Sequence, residues 1–130
     1  MGGAQALYAG LRNIDKFAWV GGFSGAYVLW PGAMTSIPAP QGLSGPGGGQ
    51  GLNLEVVQKI FPDLAESSSK LRLFYISVGS QDGLITANHQ FKEWLEGKKI
   101  KFMYTETPGY AHVWSYWRIS LADLAPRLFR

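Results

Sequence analysis

The sequence predicts an α/β chain with a mostly parallel sheet of three strands flanked by helices. Three observations carry this. Strand-length apolar runs at Phe17–Val20 and Leu71–Val78, and an alternating run at Lys98–Tyr104, are separated by stretches of helical periodicity. Such strand-and-helix alternation is what a parallel sheet covered by helices requires. Asp82 and His112 each fall in a Gly- or Pro-marked turn just after a strand, where α/β proteins usually place their chemistry.

The bulk numbers set bounds. At 130 residues the chain is one domain or part of one, and with 46% hydrophobic residues it can bury a core. The net charge of +3 comes from scattered Lys and Arg with no long basic run, so the sequence gives no clustered face for nucleic acid. There is no cysteine, which excludes disulfides and thiolate metal sites. No apolar run has membrane-spanning length, and no signal peptide is visible at the N-terminus. No cofactor motif is present, and the two histidines share no helix face with a second ligand, so no metal site is expected.

Taken in order, Met1 to Leu11 reads as a helix of small residues, with Ala4, Leu7, Tyr8 and Leu11 at helical spacing and no capping signal. Phe17 to Val20 suits a buried parallel strand. It runs into Gly21-Gly-Phe-Ser24-Gly-Ala26, which nearly matches the G-x-S-x-G nucleophile elbow but has Ala26 at the last position. The poor helix former Tyr27-Val-Leu-Trp30 follows, so Ser24 reads as a strand-end turn serine before it reads as a nucleophile.

Residues 31 to 51 read as a Pro- and Gly-rich connecting loop around Gly45-Pro-Gly-Gly-Gly-Gln-Gly51, with no Gly-Lys-Ser/Thr to close a phosphate cradle. A short helix follows, with Asn53 as N-cap and Pro62 as stop, and Ser67 to Lys70 reads as a linker. Leu71 to Val78 is the strongest strand signal and ends in Gly79-Ser-Gln-Asp82-Gly83. Leu84 to Glu96 is an amphipathic helix with Leu84, Ala87, Phe91, Trp94 and Leu95 on one face and Gly97 as its stop. His89 within it reads as an exposed helix histidine. Lys98 to Tyr104 reads as a sheet-edge strand with one wet face. The His112 loop and a final helix from about Trp114 to Leu124 complete the chain, with Pro126 interrupting near its end.

The order Asp82 then His112, each after a strand, matches the last two members of a Ser…Asp…His triad in α/β-hydrolase order. In such a site His112 is general base and then acid, and Asp82 holds its tautomer. Here the chain resembles the C-terminal half of the putative-esterase group of α/β-hydrolases, which includes feruloyl esterases, acetyl xylan esterases of carbohydrate esterase family one, and esterase D-like proteins. Met1-Gly-Gly-Ala4 resembles the second half of that group's Gly-x-Ser-Met-Gly-Gly elbow, and Phe17 to Ala26 resembles the strand and turn that come next. Gly79-Ser-Gln-Asp82 resembles the segment carrying the triad Asp. Pro108-Gly-Tyr-Ala-His112-Val-Trp-Ser-Tyr-Trp117 resembles the Gly-x-x-His-x-Trp-x-x-Trp segment carrying the triad His.

The resemblance implies a partial α/β-hydrolase fold, with residues 1–130 as the C-terminal portion of one domain. It implies a carboxylic ester hydrolase acting on a small ester or acylated carbohydrate without a cofactor, in a secreted or periplasmic bacterial setting. It makes Asp82 and His112 catalytic, gives the Met1 N–H an oxyanion role and makes Trp114 and Trp117 substrate contacts. The nucleophilic serine of the family stands immediately before Met1 and is absent from these residues, so the resemblance implies a truncated esterase. Without that serine, triad catalysis should fall to roughly 10³-fold over water. An upstream strand missing beside Phe17–Val20 would leave an apolar edge, open to self-association or to pairing with the absent half. Two other readings stand beside this one. The first is a non-catalytic module whose tryptophans stack on carbohydrate or aromatic ligands, and the second is a rebuilt site with Ser24 as nucleophile.

Overall fold

The computed structural model describes residues 1–38, 41 and 49–130. Helix α1 (Gly2–Arg12) leads to strand β1 (Trp19–Phe23), and a 3₁₀ turn at Tyr27–Leu29 leads to the short strands β2 (Met34–Ser36) and β3 (Gln50–Leu52). Helices α2 (Leu54–Ile60) and α3 (Leu64–Ser67) precede strand β4 (Leu73–Gly79). Helix α4 (Ile85–Gly97), strand β5 (Met103–Thr107) and helix α5 (Trp114–Leu124) complete it. The main sheet has the order β1-β4-β5 and is parallel throughout, as the alternation predicts. Among the described residues the outer edge of β1 has no strand partner.

Side-chain alternation assigns the helices to faces. On β1, Gly22 lies against Gly3 and Leu7 of α1, whereas Gly21 lies against Leu124 of α5. On β4, Phe74 and Ile76 join the main core, while Tyr75 and Ser77 bond to α5. So α1 and α4 cover one face and α5 covers the other. The main core lies on the first face, where Leu7, Tyr27, Val57, Ile76, Phe91 and Leu95 are fully buried. Glycine permits its closest approach. A Cβ on Gly3 would collide with the Phe23 carbonyl, so α1 packs backbone to backbone on β1.

Several boundaries differ from the sequence reading. The first strand is Trp19–Phe23 rather than Phe17–Val20, and Phe17 is exposed. Its glycines are in the strand because the helices on both faces leave no room for side chains there. The third strand is Met103–Thr107, and Lys98 to Lys101 are a turn that buries only Ile100. Gly97 is the last helical residue. The left-handed position is Lys99, with φ of 57°. Ser67–Lys70 is short helix and 3₁₀ turn, not linker. The segment from 31 to 51, expected as loop, contains the antiparallel pair β2–β3, anchored where Gln90 Oε1 accepts the Leu52 N–H at 2.7 Å. The core of its glycine run, residues 45–48, lies outside the described residues. Asn53 caps α2 as expected, accepting from the N–H groups of Glu55 and Val56.

Candidate active site

Asp82 is placed by the turn that closes β4. Its backbone N–H donates to Gly79 O at 3.1 Å. Its carboxylate is fully buried and has two donors, the Leu84 N–H on Oδ1 at 2.9 Å and His112 Nδ1 on Oδ2 at 2.9 Å. A buried carboxylate requires such donors, because an unpaired charge in this position would be strongly unfavourable. The bond also assigns the imidazole tautomer. Nδ1 carries the proton toward Asp82, and Nε2 is left for the cleft that His112 lines.

His112 reaches Asp82 because its loop is clamped onto the β4 turn. The Ser80 N–H donates to Thr107 O at 3.0 Å, the Gln81 N–H to Tyr110 O at 2.9 Å, and the Gly109 N–H to Ser80 Oγ at 3.0 Å. Gly79 makes the clamp sterically feasible, since any Cβ there would overlap the Tyr110 carbonyl. Gly109 adopts φ of 80°, which turns the chain back toward Asp82. The sequence marked Gly109, with Pro108, as a loop former, but the close approach at Gly79 was not read from it. A glycine directly after an apolar strand was the available signal.

The imidazole faces a cleft of about 550 Å³ lined by Met1, Gly3, Phe23, Ser24, Trp114 and Trp117, among others. Trp117 stands edge-on to His112, with ring centroids 4.9 Å apart and planes at 83°. Trp114 lies 5.3 Å from Trp117 and is 76% exposed. Every residue that the sequence singled out for this chemistry therefore meets at one end of the parallel sheet. Met1 and both tryptophans line the same cleft as His112, with Asp82 behind the imidazole. Ser24 is also in this wall, but it is 1% exposed and its Oγ accepts the Trp117 indole N–H at 3.1 Å.

Asn88 is a further contributor that the sequence reading missed. Buried on α4, it donates from Nδ2 to both Gly25 O and Leu84 O, at 3.0 and 2.9 Å, and so ties the turn after β1 to the Asp82 turn. His89 is half-exposed, pairs with Glu106 at 2.7 Å and is not among the residues that line the cleft. Among the described residues, no group of three His, Asp or Glu side chains is placed to hold a metal ion.

No family model matches the chain. Among solved structures, a ferulic acid esterase superposes with a TM-score of 0.66 at 20% identity, over 97% of this chain and 47% of its own. A second structure, esterase Est22, superposes with a TM-score of 0.55 at 20% identity, over 95% of this chain and 41% of its own. The chain thus spans less than half the length of these two proteins. At that identity the likeness shows the fold: a mixed α/β chain with a three-stranded parallel sheet flanked by helices, shared with part of each esterase.

Proposed function

We propose that this chain carries the Asp–His part of a serine carboxylic ester hydrolase site. Asp82 orients His112, His112 acts as general base and then acid, and the nucleophilic serine comes from a segment outside these residues, delivered beside Met1. The observation that carries the reading is the 2.9 Å bond between His112 Nδ1 and a fully buried Asp82, at the edge of an aromatic-lined cleft. In this arrangement the carboxylate stabilises the imidazolium that forms as the serine loses its proton. The backbone N–H of Met1 becomes an oxyanion donor once it is an internal amide. Trp114 and Trp117 flank the acyl or alcohol portion of a small ester or acylated carbohydrate. The unpartnered edge of β1 is where the serine-bearing segment adds its strand. Joined to β1 through the helix α1, that strand runs parallel to β1, by a crossover that is right-handed.

Labelling with a fluorophosphonate probe tests this. The 130-residue chain alone should stay unlabelled. The same chain joined at Met1 to a strand ending in Gly-x-Ser should be labelled and should hydrolyse p-nitrophenyl acetate. His112→Ala should lower that hydrolysis by about 10⁴-fold or more. Labelling of the unextended chain at Ser24, lost in His112→Ala, would instead make Ser24 the nucleophile.

One observation favours a second reading. Trp114 is 76% exposed beside Trp117, which suits stacking on a sugar or aromatic ring without catalysis. Under that reading Trp114→Ala abolishes ligand binding while His112→Ala leaves it intact.

A further inference from the structure

We infer that Ser24 is a positioning residue for His112, acting through the Trp117 indole. The inference rests on the reading of His112 as general base.

The hydrogen bond from Nδ1 to Asp82 fixes one atom of the imidazole and leaves the ring free to pivot about that bond. Trp117 blocks the pivot, because its ring stands at 83° to the imidazole with centroids 4.9 Å apart. An indole wall holds only if it is itself fixed. The Trp117 N–H is a single donor, and it is satisfied by Ser24 Oγ at 3.1 Å. Ser24 is in turn fixed at the end of β1, where its backbone N–H donates to Ser77 O on β4 at 2.7 Å. The chain of contacts therefore runs from the sheet through a buried hydroxyl and an indole to the imidazole.

The backbone at Ser24 points the same way. Its φ is 45°, in the left-handed region, and among the described residues it is the one buried residue of the three non-glycine residues with positive φ. Glycine would hold that conformation without strain, and strained positions collect at working sites. What serine adds over glycine here is the acceptor for Trp117.

Ser24→Gly separates the two roles, since it relieves the backbone and deletes the hydroxyl. It is to be followed by NMR of the chain itself, reading the Trp117 indole N–H and the low-field His112 Nδ1–H proton. The expected result is an unchanged unfolding midpoint, a displaced indole signal and exchange of the His112 proton faster by about tenfold, on the scale of one lost hydrogen bond. Trp117→Phe, which keeps a ring and removes the N–H, should give the same acceleration. In that background Ser24→Gly should add nothing more. If Ser24→Gly fails to fold, Trp117→Phe decides alone. An unchanged His112 exchange rate in the folded variants overturns the inference, even if the indole signal moves. Asp82→Asn separates this failure from the larger one. If that change leaves the His112 proton signal unaltered, the Asp82–His112 reading itself falls.

Discussion

The two faces of the sheet are built on different principles. The face under α1 and α4 is aromatic and aliphatic. Phe91 touches Tyr27, Trp30, Phe74 and Trp94 with ring centroids 4.8 to 6.5 Å apart, and α4 buries residues around much of its girth. The face under α5 is thin and polar. Only Tyr116, Ser120 and Leu124 of that helix are buried, a single stripe, and two of its anchors are hydrogen bonds: Ser77 to Ser120 at 2.9 Å and Tyr75 to Asp123 at 2.9 Å. The candidate site hangs on the thin face, since His112 precedes α5 and both cleft tryptophans lie on it. Sites and mobile elements are commonly drawn from the less stable parts of a fold. Here one face supplies stability, and the other supplies placement.

Mutations can break or sharpen that contrast. The largest effect belongs to the apolar face. Phe91→Ala should cost about 3–5 kcal/mol, a large part of the stability of a small domain, and is measured by urea unfolding. Next is the junction between the β4 turn and the His112 loop. Gly79→Ala places a Cβ on the Tyr110 carbonyl and should cost about 1–3 kcal/mol. It should also speed hydrogen exchange at the Gln81 amide, which bonds to that carbonyl.

The thin face should respond by hydrogen-bond arithmetic. Ser120→Ala should cost about 1 kcal/mol because Ser77 Oγ is left buried without its partner. The double change of Ser77 and Ser120 to Ala should cost less than that single change, as paired unfolding curves would show. The smallest effects are in pH. Hydrogen bonds from Arg127 and then Tyr75 lower the Asp123 pKa. A lowered carboxylate contributes stability that is present above its unfolded value and lost as pH falls through the folded one. Asp123→Asn should therefore flatten the acid limb of stability below about pH 4, by less than 1 kcal/mol because the pair is exposed. Burial pushes Tyr75 up to about 12. Between its unfolded value near 10 and that value, the unfolded chain alone ionises, so stability should fall as pH rises through this window. Alkaline unfolding of Tyr75→Phe should be correspondingly shallower.

What the sequence revealed follows from how far each contact reaches. The Asp82 and His112 turns were legible because glycine and proline punctuate them locally, directly after apolar strands. Asn53 was legible as a cap for the same reason. Strand ends were misplaced where an apolar run continues past the pairing, at Phe17, or where charged residues precede it, at Lys98 to Lys101. β2 and β3 were hidden because three-residue strands inside a Pro- and Gly-rich segment leave no period to read. The Ser24–Trp117 bond, the Asn88 tie and the His89–Glu106 pair join residues far apart in sequence, so nothing local announces them.

The strand order also sets an order of assembly. Tyr75 pairs with Met103 across about half the chain length that separates Trp19 from Leu73. Each doubling of a closed loop costs only about 0.6 kcal/mol in chain entropy, but folding rates favour the nearer pairing. The β4–α4–β5 unit should therefore close first, bringing the Asp82 and His112 turns to one end of the sheet while β1 is still unpaired. The Ser24 turn then docks against an Asp–His pair already in place. During synthesis, that unit is complete only once β5 has emerged, so β1, made before β4, waits longer for its partner than β4 does for β5.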